Sequence, residues 1–172
     1  MDILVAYATK NGSTQQVAEA IAAALREHAG DTELHAARQV RESLAGRDLV
    51  VLGGALYSGR WHRDAHRFLK QHRPELTAGV PIAVFGMGPR SDDKDAWRHA
   101  RAQLDRALAK RNWLTPVAVT VFGGVDPPGR RKRHRRDMRD WDAIRNWAQL
   151  VLNQAHGRPE PNSLQRAQPT DG

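Results

Sequence analysis

The sequence predicts an α/β sandwich doubly wound around a mostly parallel sheet, and three observations carry that reading. Short apolar runs alternate along the chain with segments of helical periodicity, the pattern of successive βαβ units. The clearest of those runs are continuous rather than alternating, as strands covered on both faces require. The chain has 172 residues, 40% of them hydrophobic, enough for one core of ordinary domain size with little room for a second.

Residues 3–8 form the first apolar run, bounded by a turn, and read as a buried strand. Val17, Ala18, Ile21, Ala22 and Leu25 then share one helical face. Residues 32–36 give a weaker second strand, and residues 39–45 a short helix or helical turn. Leu49-Val50-Val51-Leu52, within residues 48–54, is the clearest strand. Residues 62–72 are helical, with Ala65, Phe68 and Leu69 inward, and residues 81–86 supply the fourth strand. Residues 94–111 form the next helix, with Trp97, Ala100, Leu104 and Leu108 near one face. Residues 116–125 are β-branched and apolar, the fifth strand. A last helix over about residues 141–154 carries Trp141, Ile144, Trp147, Ala148, Val151 and Leu152 at helical spacing. The folded unit is expected over residues 1–156. From Gly157 onward the chain holds three prolines, few large apolar groups and no periodicity, and reads as a flexible tail.

Composition excludes several function classes. Without cysteine there is no disulfide, thiolate zinc site, iron–sulfur cluster or cysteine nucleophile. No apolar run approaches the ~18–20 residues of a membrane span. The N-terminus lacks a basic segment followed by a long apolar one, so a cytoplasmic chain is expected. The formal charge is +8, and three quarters of that excess sits in one place: Arg130, Arg131, Lys132, Arg133, Arg135 and Arg136, around His134. A segment, rather than the whole surface, seeks an anionic partner.

After the first strand comes Thr9-Lys10-Asn11-Gly12-Ser13-Thr14, then the first helix. A helix start presents unpaired backbone N–H groups and the positive end of the helix dipole. Hydroxyls of Thr9, Ser13 and Thr14 and the Asn11 amide can complete a shell around a phosphate, and Gly12 lets the turn be tight. The spacing suits one terminal phosphate monoester; it lacks the glycine pattern of a Walker or dinucleotide loop. The same residues also suit a hydroxyl-rich turn in which Ser13 and Gln16 make a capping box. In a sheet of order 2-1-3-4-5 the crevice lies between strands one and three. The loops after strands three and four should therefore line it. The first offers Leu56, Tyr57, Ser58, Gly59 and Trp61, with flat faces for stacking. The second offers Met87, Gly88 and Arg90, with backbone polar groups for a heterocycle edge. One phosphate plus one flat heteroaromatic ring is the outline of FMN.

On these residues the chain resembles the flavodoxin family, from Ile3 to about Leu152, with Thr9 to Thr14 matching the family's phosphate signature. Three stretches resemble the menaquinone-dependent protoporphyrinogen dehydrogenase branch more narrowly. They are residues 5–25; Leu52-Gly53-Gly54 through Tyr57-Ser58-Gly59-Arg60-Trp61-His62 to Phe68; and Arg139-Asp140-Trp141 through Ile144 to Trp147-Ala148. The resemblance implies a flavodoxin-like three-layer sandwich with noncovalent FMN, its phosphate on residues 9–14 and the two later loops flanking the isoalloxazine. It further implies oxidation of protoporphyrinogen IX with electrons passed to a membrane quinone. A flavodoxin-like electron carrier without its own organic substrate is the alternative; carriers of that kind are usually acidic, and this chain is basic. A fold of this kind that has lost FMN and serves as an interaction module is a third possibility. One departure from the branch is the compact Asp126-Pro127-Pro128-Gly129 segment before the basic run, an insert over about residues 126–139.

The basic run has three readings. It could be a solvated loop, it could pair with the carboxylates of a porphyrinogen-type or other anionic small molecule, or it could dock on anionic lipid at the inner face of the membrane. Six cations at roughly 1 kcal/mol each would suffice for reversible lipid docking. Specific nucleic-acid binding is disfavoured, because the run carries no aromatic platform. His62 and His66, spaced i, i+4, could share a metal but have no acidic set to complete it, so no metal is expected. Asp92, Asp93 and Asp95 sit where acidic side chains cap a helix. No side-chain nucleophile or acid–base dyad is called for, since a flavin would carry the chemistry.

Overall fold

The structure is a computed structural model that describes residues 1–127 and 135–157. Its strands are Ile3–Ala8 (β1), Thr32–Ala36 (β2), Leu49–Tyr57 (β3), Arg60–Trp61 (β4), Ile82–Met87 (β5) and Ala118–Phe122 (β6). Its helices are Ser13–Ala29 (α1), Arg63–Gln71 (α2), Arg73–Thr77 (α3), Lys94–Ala109 (α4) and Trp141–His156 (α5). Five strands run parallel in the order β2-β1-β3-β5-β6, with β4 paired antiparallel to the end of β3. This is the expected flavodoxin-like sandwich and strand order, with one short strand added.

Each central strand divides its side chains between two cores, as period-two geometry dictates. Ile3 and Val5, Leu49 and Val51, and Ala83, Phe85 and Met87 face α1 and α5. Leu4 and Ala6, Val50 and Leu52, and Ile82 and Val84 face α2 and α4. Both sheet faces are therefore dry, which explains why the strands read as unbroken apolar runs. Leu52 and Leu104 are fully buried, and truncating either to alanine would cost ~2–5 kcal/mol.

Two local expectations fail for tertiary reasons. Residues 39–45 do not form a helix: a short 3₁₀ turn spans Ala37–Gln39 and Val40 is extended. The Glu75 carboxylate on α3 accepts hydrogen bonds from the Ser43 hydroxyl at 3.0 Å and the Leu44 N–H at 3.4 Å, and Leu44 is buried. The backbone is thus drawn across to α3 instead of coiling on itself. In addition, β3 continues three residues past Gly54, where a loop was expected. Gly53 and Gly54 lie inside the strand because a Cβ at Gly53 would fall 2.0 Å from the Phe85 ring and one at Gly54 2.4 Å from the Trp61 indole nitrogen. Neighbouring aromatics occupy the volume that side chains would need.

Candidate functional site

The chain leaves β1 at Ala8 and enters α1 through a turn in which the Thr9 hydroxyl accepts a hydrogen bond from the Gly12 N–H at 2.9 Å. Gly12 is the N-cap residue, with φ +88°, and no side chain caps the helix. The anticipated capping box between Ser13 and Gln16 is absent; the Gln16 side-chain oxygen accepts from Arg139 instead. A helix start left without a side-chain acceptor keeps its first N–H groups available to an anion. One residue further, Thr14 is fully buried and its hydroxyl has no hydrogen-bond partner. An unsatisfied buried hydroxyl costs ~1–3 kcal/mol, so this turn is built for an acceptor brought from outside.

Facing the turn across a narrow cleft are the ends of β3 and β5 and the chain after β6. Lys10, Asn11 and Ser13 form one wall, and Leu56, Tyr57, Met87, Gly88 and Arg90 the other. Ala55, Gly124, Val125 and Pro127 also line it, and sequence reasoning did not single these out. Gly123-Gly124 fell inside the expected strand of residues 116–125, but β6 ends at Phe122 and the glycines open the chain that follows it; the glycine pair was the signal that the strand stops there. Tyr57 is 47% exposed, an unusual state for a large aromatic beside a cleft, and the Lys10 ammonium lies over its ring. The enclosed space is only about 50 Å³, well under the ~300–1,000 Å³ of typical ligand pockets. The Lys10–Tyr57 contact is what narrows the cleft.

Three residues expected beside the ring do not line this cleft. Ser58 and Gly59 form the two-residue turn between β3 and β4, with φ of 47° and 76°, the positive angles that tight hairpins demand. Trp61 is 3% exposed. Its indole N–H donates to the Gly54 carbonyl at 3.2 Å, and its ring meets His66 edge-on at 5.5 Å. Trp61 pairs with Leu56 across the hairpin, and the two side chains share the face that packs on the α2–α4 core, opposite Tyr57.

The basic insert begins and ends at the cleft's far wall. Val125 and Asp137 form an antiparallel bridge. The Asp126 carboxylate accepts from the Arg136 N–H at 3.1 Å, and its carbonyl accepts from the Arg135 Nε at 2.7 Å. Arg90 approaches the same carboxylate at 3.7 Å. Lys10, Arg90 and Arg135 thus give the rim a positive charge that Asp126 offsets only in part. Arg130, Arg131, Lys132 and Arg133 lie outside the described residues, as does the expected tail from residue 158.

His62 and His66 are engaged separately. The His62 Nδ1 accepts from the Asp64 N–H at 3.1 Å, and the His66 Nδ1 lies 3.0 Å from the Arg111 guanidinium. Burial pushes both imidazoles below their ordinary value. Among the described residues no group of three or more histidine or acidic side chains is placed to hold a metal. Asp93 caps α4, accepting from the Asp95 N–H at 3.0 Å. A roomier hollow of about 660 Å³ lies along the edge strand β6, walled by Trp97, Phe122, Met138 and Trp147. The start of α5 opens into it, but the Asp140 carboxylate already caps that end, accepting from the Ala143 N–H at 3.0 Å, and no basic side chain lines the hollow, so the narrower cleft is the better anion site. No helix among the described residues is long and apolar enough to cross a membrane.

Comparison with known proteins gives a family and a fold. The profile of a flavodoxin domain matches residues 4–144. The chain is 25% identical over 131 residues to the protoporphyrinogen IX dehydrogenase [quinone] of Escherichia coli K12, covering 74% of this chain and 71% of that protein. Among solved structures, oxidised flavodoxin 1 from Bacillus cereus superposes with a TM-score of 0.60 at 17% identity, covering 89% of this chain and 98% of that one. A flavodoxin from the domain Archaea gives 0.63 at 16% identity, with 91% and 99% covered.

Proposed function

This chain belongs to the flavodoxin domain family, and from that premise we propose that it binds FMN noncovalently and serves in electron transfer. The observation that carries the reading is the Thr14 hydroxyl, buried and unpartnered at the head of a helix whose cap, Gly12, offers no side chain. Thr9, Asn11, Ser13 and Thr14 supply hydroxyl and amide groups for the phosphate, and Lys10 supplies a countercharge. Tyr57 offers an exposed ring face for stacking, with Leu56 beside it. Met87, Gly88 and Arg90 continue the same wall at the end of β5, and Met87, 3% exposed, helps to keep it dry. When bound, the flavin supplies the one- and two-electron chemistry. Titration of flavin-free protein with FMN tests the proposal; saturable quenching of flavin fluorescence is the expected result, and its absence overturns it.

A second reading, in which the protein oxidises a porphyrinogen-type substrate and passes the reducing equivalents to a membrane quinone, is favoured by the cationic rim. Arg90 and Arg135 stand beside the far wall, where carboxylates of a flat anionic substrate would meet them. The same cations suit peripheral contact with anionic lipid, at roughly 1 kcal/mol for each one near the surface. Quinone-dependent turnover of protoporphyrinogen by the FMN-loaded protein supports this reading. Loaded protein without such turnover is an electron carrier.

A further inference from the structure

Arg139 links the two walls of the cleft. Its Nε and Nη2 donate to the two oxygens of Asp137 at 2.9 and 2.6 Å, and its backbone N–H donates to the same carboxylate at 3.1 Å. Its Nη1 donates to the Gln16 side-chain oxygen on α1. The guanidinium lies over the Trp141 ring, 4.7 Å from its centroid, and the Arg139 side chain is only 10% exposed. The fork on Asp137 holds that carboxyl below its ordinary range. Few side chains in this fold are so fully engaged, and none of these contacts is explained by packing of the sheet.

What the two arms reach gives the contacts their meaning. Asp137 bridges to Val125, which lines the far wall. Gln16 donates its N–H to the Gly12 carbonyl at 3.2 Å, at the apex of the turn that offers its donors to an anion. One planar side chain therefore ties the Val125 wall of the cleft to the first turn of α1, behind the Thr9–Thr14 turn. A lysine could not make the same fork and third bond at once.

We propose that Arg139 is a positioning residue that fixes the Thr9–Thr14 turn relative to the Gly124–Pro127 wall, so that one ligand can engage both. The inference rests on the FMN reading above. A ligand held at its phosphate and at its ring gains from the second contact only if the two sites keep the right separation. FMN uses both sites, whereas riboflavin has the same ring and no phosphate.

The test compares FMN and riboflavin affinities, by fluorescence, in the wild-type chain, Arg139→Met and Gln16→Ala. Met keeps an apolar stem against Trp141 and removes the fork. Gln16 is exposed on α1, so its truncation cuts one arm with little risk to folding. Arg139→Met is expected to weaken FMN about tenfold, the order of a charge-assisted hydrogen bond, while riboflavin affinity stays within about twofold. Gln16→Ala should shift FMN in the same direction by about threefold. In flavin-free protein both variants should speed amide exchange across residues 9–16. Equal losses for the two flavins, or unchanged FMN binding in Gln16→Ala, would overturn the proposal. If the wild type binds neither flavin, the FMN reading fails by itself. Exchange in Gln16→Ala then decides the clamp: faster exchange supports it and unchanged exchange removes it.

Discussion

The Lys10 ammonium stands 4.4 Å from the centroid of the Tyr57 ring, closing the cleft between the phosphate turn and the end of β3. A cation over a partly exposed ring is worth ~0.5–1 kcal/mol, and a stacked flavin must displace it. Lys10 is also the cation nearest the expected phosphate, so its two roles oppose each other. Lys10→Met should therefore tighten riboflavin about two- to fivefold, by freeing the ring, and weaken FMN, by removing the countercharge. Both affinities come from one fluorescence titration. A parallel change in the two flavins would show that Lys10 does not cover the ring in solution.

Thr14 provides a prediction in which stability and binding move in opposite directions. Thr14→Val keeps the shape and removes a buried hydroxyl that has no partner. The flavin-free protein should gain about 1 kcal/mol, while FMN affinity falls at least about tenfold. Urea unfolding measures the first and flavin titration the second. Unchanged FMN binding would mean that the hydroxyl does not face the ligand.

Acid sensitivity follows from the histidines of the α2 region. His62, His66 and His72 are all held below their ordinary value, with burial the leading cause in each. His72 is 2% exposed and its Nε2 has no hydrogen-bond partner. The unfolded chain takes up protons near pH 6.5 that the folded chain refuses. Stability is therefore complete above about that pH and falls as acidification approaches the lowered folded values. His72→Phe, placed against Phe68 at a 4.6 Å ring contact, should flatten part of this slope. Urea midpoints at about pH 7.5 and 5.5 bracket the window; identical slopes for the two chains would contradict the assignment.

The two glycines inside β3 are packing positions. Gly53→Ala drives a methyl into the Phe85 ring, and an overpacked core of this kind loses ~1–3 kcal/mol. A lowered melting temperature with the Thr9–Thr14 turn intact is the expected outcome. A change within ~0.5 kcal/mol would show that Phe85 moves aside freely.

Most of the architecture was legible because strands buried on both faces, such as Leu49-Val50-Val51-Leu52, announce themselves as unbroken apolar runs. The long helices were equally plain: Val17, Ile21 and Leu25 mark the buried stripe of α1, whereas the short α3 carried no periodicity long enough to read. What escaped depends on partners distant in sequence. Gly53 and Gly54 look like the start of a loop, and only Phe85 and Trp61, packed against them, keep the strand going. Trp61 beside Tyr57 suggested two ring neighbours, but a turn at Ser58 and Gly59 sends the indole to the opposite side of β3. Ser13 and Gln16 carried a capping-box pattern that local sequence favours, and Arg139, 123 residues away from Gln16, claims the glutamine instead. The Thr9–Thr14 turn was readable because its geometry is local; the walls around it are assembled from chain ends that no spacing rule connects.

Equilibrium titration of flavin-free protein with FMN, followed by flavin fluorescence and visible absorbance, bears most directly on the cleft's role. Saturable one-to-one quenching is predicted, with riboflavin bound more weakly because it leaves the Thr9–Thr14 turn unengaged. No saturable signal, or riboflavin bound as tightly as FMN, would contradict a phosphate grip at that turn.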